Sequence, residues 1–133
     1  GYTLANDVSA WDIERENPLY LPQSKIYTGS CALGPVIVSA SEIPNPALLE
    51  MTCTVTRAGV TRFSGGVSLG RLERRIGYLI EYLMRANPVP AGSVVLTGTG
   101  IIVPQEAALA PDDSVSIRVE QIGELTNTAA LVQ

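Results

Sequence analysis

Across residues 48–57 the chain alternates with a period of two. Leu49, Met51, Cys53 and Val55 fall on one side, and Glu50, Thr52, Thr54 and Thr56 on the other. An extended strand sends successive side chains to opposite faces, so this stretch predicts a half-buried strand. Ala58-Gly59 follows as a hairpin turn leading into Val60-Thr61-Arg62-Phe63. The pattern returns with Val115, Ile117 and Val119 set against Ser114, Ser116, Arg118 and Glu120, after a turn at Pro111-Asp112-Asp113. Residues 1–5, 36–38, 93–96 (continued by 101–103 past a bend), 122–127 and 129–132 read as further strands, six to eight in all.

Helical spacing is rarer. Leu69, Leu72, Ile76, Leu79, Ile80 and Leu83 recur with a period near 3.6, which predicts one long amphipathic helix over 67–84 lying against a sheet. Gly65-Gly66 breaks the strand before it, and Asn87-Pro88 and Pro90 stop it. A shorter helical stretch fits 8–16, with Asn6, Asp7 or Ser9 as cap and Pro18 as its end. Residues 19–27 read as a loop or edge strand, and Gly34-Pro35 as a turn. Strands outnumber helices, so the expected class is mostly β or α+β with a mixed or antiparallel sheet.

At 133 residues the chain fits a single domain. Its charged fraction of 17% lies below the usual value of about 25%. Either the core is large and well filled, or more surface than normal is covered by another chain or segment. Net charge is −4, and the one basic cluster, Arg71, Arg74 and Arg75, is interleaved with Glu73 and Glu81 as the wet face of a helix. That speaks against nucleic acid as a partner. No apolar run reaches the length of about 18 residues that a spanning helix needs, so no membrane partner is expected, and the expected compartment is the cytoplasm. Gly1 opens the chain as if in the middle of a longer product, without an initiating Met. Cys31 and Cys53 belong to no paired motif and read as two buried small hydrophobes. There is no histidine. That removes Ser-His-Asp and Cys-His nucleophile systems and His-based zinc sites from within the chain. A metal here would sit among oxygens, which favours magnesium, manganese or calcium.

Carboxylates concentrate at the front of the chain: Asp7, Asp12, Glu14 and Glu16. Asp7 falls at a strand-to-helix junction, where a side chain can point into a cleft as a metal ligand or serve only as a cap. Asp12 and Glu16, four apart, share one helix face, which is also the spacing of an ordinary solvated face. Lys25 could bind a carboxylate or an enolate, or move a proton; a solvent-facing lysine is the bland alternative. Thr97-Gly98-Thr99-Gly100 ends a strand with two hydroxyls and two glycines that permit close backbone approach. It lacks the Gly-Lys-Ser/Thr ending of a phosphate loop, so a bulge or tight turn at a sheet edge competes with a ligand contact.

Several segments together resemble the fumarylacetoacetate hydrolase family, in the carboxy-terminal part of its catalytic domain. Asn6-Asp7-Val8-Ser9-Ala10-Trp11-Asp12-Ile13-Glu14 is similar to the family's N-D-x-S-A-R-D-x-Q stretch. Lys25, followed by Gly34-Pro35, resembles the family lysine and its L-G-P. Leu96-Thr97-Gly98-Thr99-Gly100, then Leu109 to Val115, and finally Gly123-Glu124-Leu125-Thr126-Asn127, resemble T-G-T-P/G, L-x-x-G-D-x-V and G-x-L-x-N. Asn17 to Gln23 and Gly29 to Pro35 look closer to the branch of dehydratases acting on 2-keto-3-deoxy sugar acids such as 2-dehydro-3-deoxy-D-arabinonate.

The resemblance implies a curled mixed β barrel or roll with one long flanking helix, usually in a homodimer. It implies a divalent-metal lyase acting on a small-molecule 2-keto acid. The alternatives are a C–C hydrolase or decarboxylase of acylpyruvate-like acids, or an inactive fragment or degenerate homologue with a structural role. It carries metal ligation onto Asp7, the active-site lysine onto Lys25, and substrate contacts onto Lys25, Gly98, Thr99 and Glu14. Two further metal ligands would come from an E-x-E pair upstream of the Asn-Asp motif, which here would have to lie before Gly1. Trp11 stands where the family has arginine and Glu14 where it has glutamine. The first change loses a charge and a bidentate donor. Asp112 stands where glycine is usual, and aspartate tolerates such a turn. The family's histidine-dependent hydrolysis finds no histidine here.

Overall fold

The computed structural model describes residues 1–131. Six strands are present among them: β1 (Tyr2–Asp7), β2 (Cys31–Val38), β3 (Glu50–Arg57), β4 (Val60–Ser68), β5 (Ser114–Val119) and β6 (Gly123–Thr128). Two α-helices, α1 (Trp11–Glu16) and α2 (Ile76–Met84), and five short 3₁₀ turns accompany them. Every pairing is antiparallel. β1 and β2 form one two-stranded sheet, and the other four strands form a second in the order β4-β3-β5-β6. No parallel pair and no closed barrel occur among the described residues, so the expected mixed, curled barrel gives way to two antiparallel sheets.

The alternation on β3 works as read. Leu49, Cys53 and Val55 are buried, and they join Val115, Ile117, Val119, Ile122 and Leu125 from β5, its turn and β6, with Leu4 from β1 and Ile43. Ala58 and Gly59 both take positive φ, 49° and 77°, the mirror-image turn geometry whose twist matches a hairpin. Asp112 also adopts positive φ, 67°, as a residue standing in for glycine must.

Several expectations fail for identifiable reasons. Gly65-Gly66 does not end the strand, because β4 runs through both to Ser68. A Cβ on Gly65 would lie 2.6 Å from the Phe63 ring, so glycine is needed for packing, not for a turn. The helix is therefore half as long as predicted: Val67 and Ser68 belong to β4, Leu69–Arg71 is a 3₁₀ turn, and only Ile76–Met84 is α-helical. None of its residues is buried, so its apolar face does not rest on a sheet among the described residues. Residues 93–96 and 101–103 form no strand, although the sequence has strand character there; they pair with no strand among the described residues. Gly34-Pro35 lies inside β2, not at a turn. Tyr2 and Leu4 pair with Val38 and Gly34, so the excess length on β2 is absorbed as a bulge, where proline's missing N–H does no harm. Helix α1 starts after Ala10 with no side-chain cap, so none of Asn6, Asp7 or Ser9 plays that part. Cys53 is buried but Cys31 is exposed. The last expected strand, 129–132, shows no strand in its described part, and residue 132 lies outside the described residues.

Candidate active site

Asp7 closes β1, and the chain then turns into α1. The Val8 amide donates to the Ser30 carbonyl and the Ala10 amide to the Ser24 carbonyl, each at 2.8 Å, so the start of α1 is tied to the turn that carries Lys25. That turn is itself stiff. The hydroxyl of Ser24, wholly buried, donates to the Leu21 carbonyl, and the hydroxyl of Ser30 donates to the Lys25 carbonyl at 2.6 Å. Lys25 Nζ consequently reaches Asp7 Oδ2 at 2.6 Å and Ser9 Oγ at 2.7 Å. About a third of each charged side chain remains open to solvent, 31% for Lys25 and 34% for Asp7. The pair is formed yet accessible from outside.

The two asparagines of the resembling motifs also meet. Asn6 Nδ2 donates to Asn127 Oδ1 at 3.2 Å, which fixes β1 against β6 and hence fixes where Asp7 emerges. Cys31 is the cross-strand partner of Asp7, so its exposed thiol lies beside the ion pair. The sequence reading names neither Ser9 nor Cys31 as a site residue. Ser9 is legible as the residue two past Asp7, but Cys31 becomes legible only once the β1–β2 register is known.

Thr99 is placed differently. Its hydroxyl accepts from the Ile101 amide at 3.0 Å. Gly98 has φ 80° with open space around it, whereas a Cβ on Gly100 would lie 2.9 Å from Val67 on β4. The glycines thus serve a positive-φ backbone position at Gly98 and close packing on a sheet edge at Gly100. No bond among the described residues joins Thr99 directly to Asp7 or Lys25. Glu14 is half-buried in α1, and no side-chain hydrogen bond to it is described. Glu14-Arg15-Glu16 is itself an E-x-E spacing, but it lies on a helix, where residues two apart point to different sides.

A hard divalent ion takes about six oxygen ligands. Among the described residues no cluster of three or more Asp, Glu, His or Cys side chains is arranged to hold a metal. Asp7 offers one carboxylate, and its Oδ2 already faces the lysine. The residues present therefore do not by themselves fit a magnesium ion. No helix among the described residues is long and apolar enough to cross a membrane.

The profile of the fumarylacetoacetate (FAA) hydrolase C-terminal family matches residues 1–130. The chain belongs to that family. It is 49% identical over 125 residues to the 2-dehydro-3-deoxy-D-arabinonate dehydratase of Saccharolobus solfataricus, covering 94% of this chain and 42% of that protein. Against a Haloferax volcanii protein described as a probable 2-keto-3-deoxyxylonate dehydratase, identity is 40% over 132 residues, covering 99% of this chain and 46% of the other. A solved structure of 2-keto-3-deoxy-D-arabinonate dehydratase complexed with magnesium and 2,5-dioxopentanoate superposes with a TM-score of 0.93 at 48% identity, covering 96% of this chain and 46% of that one. The chain thus spans less than half the length of these relatives.

Proposed function

We propose that this chain is the lysine-bearing part of a dehydratase acting on a 2-keto-3-deoxy sugar acid. The observation that carries the reading is the Lys25–Asp7–Ser9 cluster, formed at the motif positions of a chain closely similar to such dehydratases. Dehydration of a 2-keto-3-deoxy pentonate removes a proton from C3 and the hydroxyl from C4, releases water and, after tautomerisation, leaves 2,5-dioxopentanoate. Negative charge gathers on the keto oxygen as the C3 proton leaves. A partly exposed ammonium held by one carboxylate and one hydroxyl is a preorganised donor for that oxygen. Asp7 and Ser9 fix Lys25 in one orientation, and Thr99 supplies a neutral hydroxyl donor to the same substrate.

Magnesium enters this reading as a group that Asp7 helps to hold, with its other oxygen ligands lying outside these 133 residues. When bound it supplies positive charge to the keto acid. The protein is proposed to act as a homodimer, in keeping with the exposed apolar side chains Leu33, Val36 and Ile37 of β2.

The test is to incubate the intact protein with magnesium and 2-keto-3-deoxy-D-arabinonate and to follow the product by mass. Loss of one water to give 2,5-dioxopentanoate is expected. Inertness toward this acid together with cleavage of an acylpyruvate would replace the reading with the C–C hydrolase. Inertness toward both would leave the structural role.

A further inference from the structure

Thr99 lies in a segment that contributes no strand, and every residue from 91 to 100 is exposed. Segments with so little buried surface open at low cost, so the few bonds at their ends decide where they stand. One attachment is the close contact of Gly100 with Val67 on β4. Ile101, next in sequence, packs against the buried core. A third attachment is a bond across 90 residues of sequence: Arg15 Nη1 on α1 donates to Gln105 Oε1 at 3.0 Å, in the 3₁₀ turn Gln105–Ala107 that seats buried Ala107.

Arg15 is itself held. Its guanidinium carbon lies 4.4 Å from the centre of the Trp11 ring, one helical turn back. No carboxylate lies within 4 Å of it among the described residues. An exposed arginine with no ion-pair partner would ordinarily sample many rotamers. Stacking on the ring face restricts it and leaves the in-plane N–H groups free to bond. Helix α1 begins four residues after Asp7 and is tied to the lysine turn through the Ala10 amide. The Trp11–Arg15–Gln105 bridge therefore connects the segment bearing Thr99 to the helix that carries the acid–lysine cluster.

We propose that Trp11, Arg15 and Gln105 form a positioning clasp that docks the Thr97–Gly100 loop against α1, so that the Thr99 hydroxyl and Lys25 address one substrate. Arg15 acts through Gln105 and does not touch the substrate. This rests on the reading of Thr99 as a substrate contact in the proposed dehydratase. It also gives Trp11 a role at the position where the family pattern has arginine: the ring provides the face, and the cation is supplied four residues later.

The test uses the intact protein with magnesium and the keto acid. Arg15→Ala and Gln105→Ala should each raise KM by about tenfold, the worth of one hydrogen bond to substrate, with kcat within about threefold. Thr99→Ala should do the same, and Arg15→Ala combined with Thr99→Ala should be no worse than Thr99→Ala alone. Gln105→Glu, which makes the bond charge-assisted, should retain wild-type KM. Effects that multiply in the double variant, or unchanged KM in Gln105→Ala, would overturn the coupling. Hydrogen exchange read by mass spectrometry gives an arm independent of turnover. The hydrogen-bonded amides of this segment, Ile101, Ala107 and Ala108, should exchange about tenfold faster in Gln105→Ala while those of β3 and β5 do not change. Unchanged exchange at these three amides overturns the clasp whatever the activity. Absence of dehydratase turnover overturns the proposed reaction and not the clasp, which the exchange arm decides alone.

Discussion

Replacing Lys25 with methionine separates a catalytic lysine from a structural ion pair, because the two roles predict opposite rankings of stability and activity. Methionine keeps most of the apolar stem and removes the ammonium. At 2.6 Å the unscreened attraction to Asp7 in water is about 1.6 kcal/mol. Ordering a lysine side chain costs up to about 2 kcal/mol. The difference is near zero, in line with the 0.2–1 kcal/mol or so measured for exposed pairs, and both partners here are about a third exposed. Loss of the pair should therefore lower Tm by no more than about 4 °C for a domain of this size. Removing one preorganised donor to a developing oxyanion costs about 10²–10³ in kcat. Lys25→Met should accordingly be almost as stable as wild type and about 100-fold or more slower, by thermal scanning and by release of 2,5-dioxopentanoate. Lys25→Arg, which keeps the charge but not its point-like shape, should fall between the two. Turnover within threefold of wild type, or a Tm loss above about 8 °C with full activity per folded molecule, would show that the pair is structural.

Three other outcomes follow from the structure. Asp113 is wholly buried, accepts from Arg57 Nε at 2.8 Å and Nη2 at 2.7 Å, and also accepts from the Ala110 amide. Chiefly through Arg57, its carboxyl is lowered from 3.8 to about 2. A lowered folded-state value adds stability that is present above pH 3.8 and is lost as pH falls toward 2. The urea midpoint of the wild type should thus drop across that window, while Asp113→Asn starts lower and changes less; parallel slopes would count against the assignment. Cys31 is exposed and Cys53 is buried, with its thiol pushed up by desolvation. A thiol reagent should label Cys31 at once and Cys53 only on unfolding, and a bulky label on Cys31, opposite Asp7, should inhibit. One labelled thiol without inhibition would place Cys31 outside the site. Because one carboxylate supplies too few ligands, the 133-residue chain should bind magnesium with only millimolar affinity by calorimetry. A single micromolar site would refute that and point to Asp12, Glu14 or Glu16.

The parts of the fold legible in the sequence are those whose information is local. The β3–β4 hairpin follows from Cys53 and Val55 alternating with threonines and from a two-residue turn that Ala58 and Gly59 can adopt. Its pairing with β5 follows because Val115, Ile117 and Val119 must bury the same kind of face. The site is legible in half: Asp7 and Lys25 are 18 residues apart in sequence and meet, but Ser9 and Cys31 depend on how a turn folds back and on a strand register that alternation does not set. The misplaced strands and the overlong helix share one physical source. Apolar periodicity says that a face seeks burial, not what buries it. Val94, Val95 and Leu96 have strand character, yet each stays more than 40% exposed because a strand exists only with a backbone partner. Tyr78, Ile80 and Tyr82 on α2, and Leu33, Val36 and Ile37 on β2, are likewise apolar and open. The 17% charged fraction goes with these exposed apolar side chains, which are surface of the kind that seeks cover. That conclusion bears on the chemistry. An ion pair at the rim of an open sheet is screened by water, and the same pair under a covering surface acts in a lower dielectric, where each donor aimed at an oxyanion counts for more. The lysine variant should therefore show its largest kinetic penalty in the fully assembled protein, and little in any form that leaves the β2 face bare.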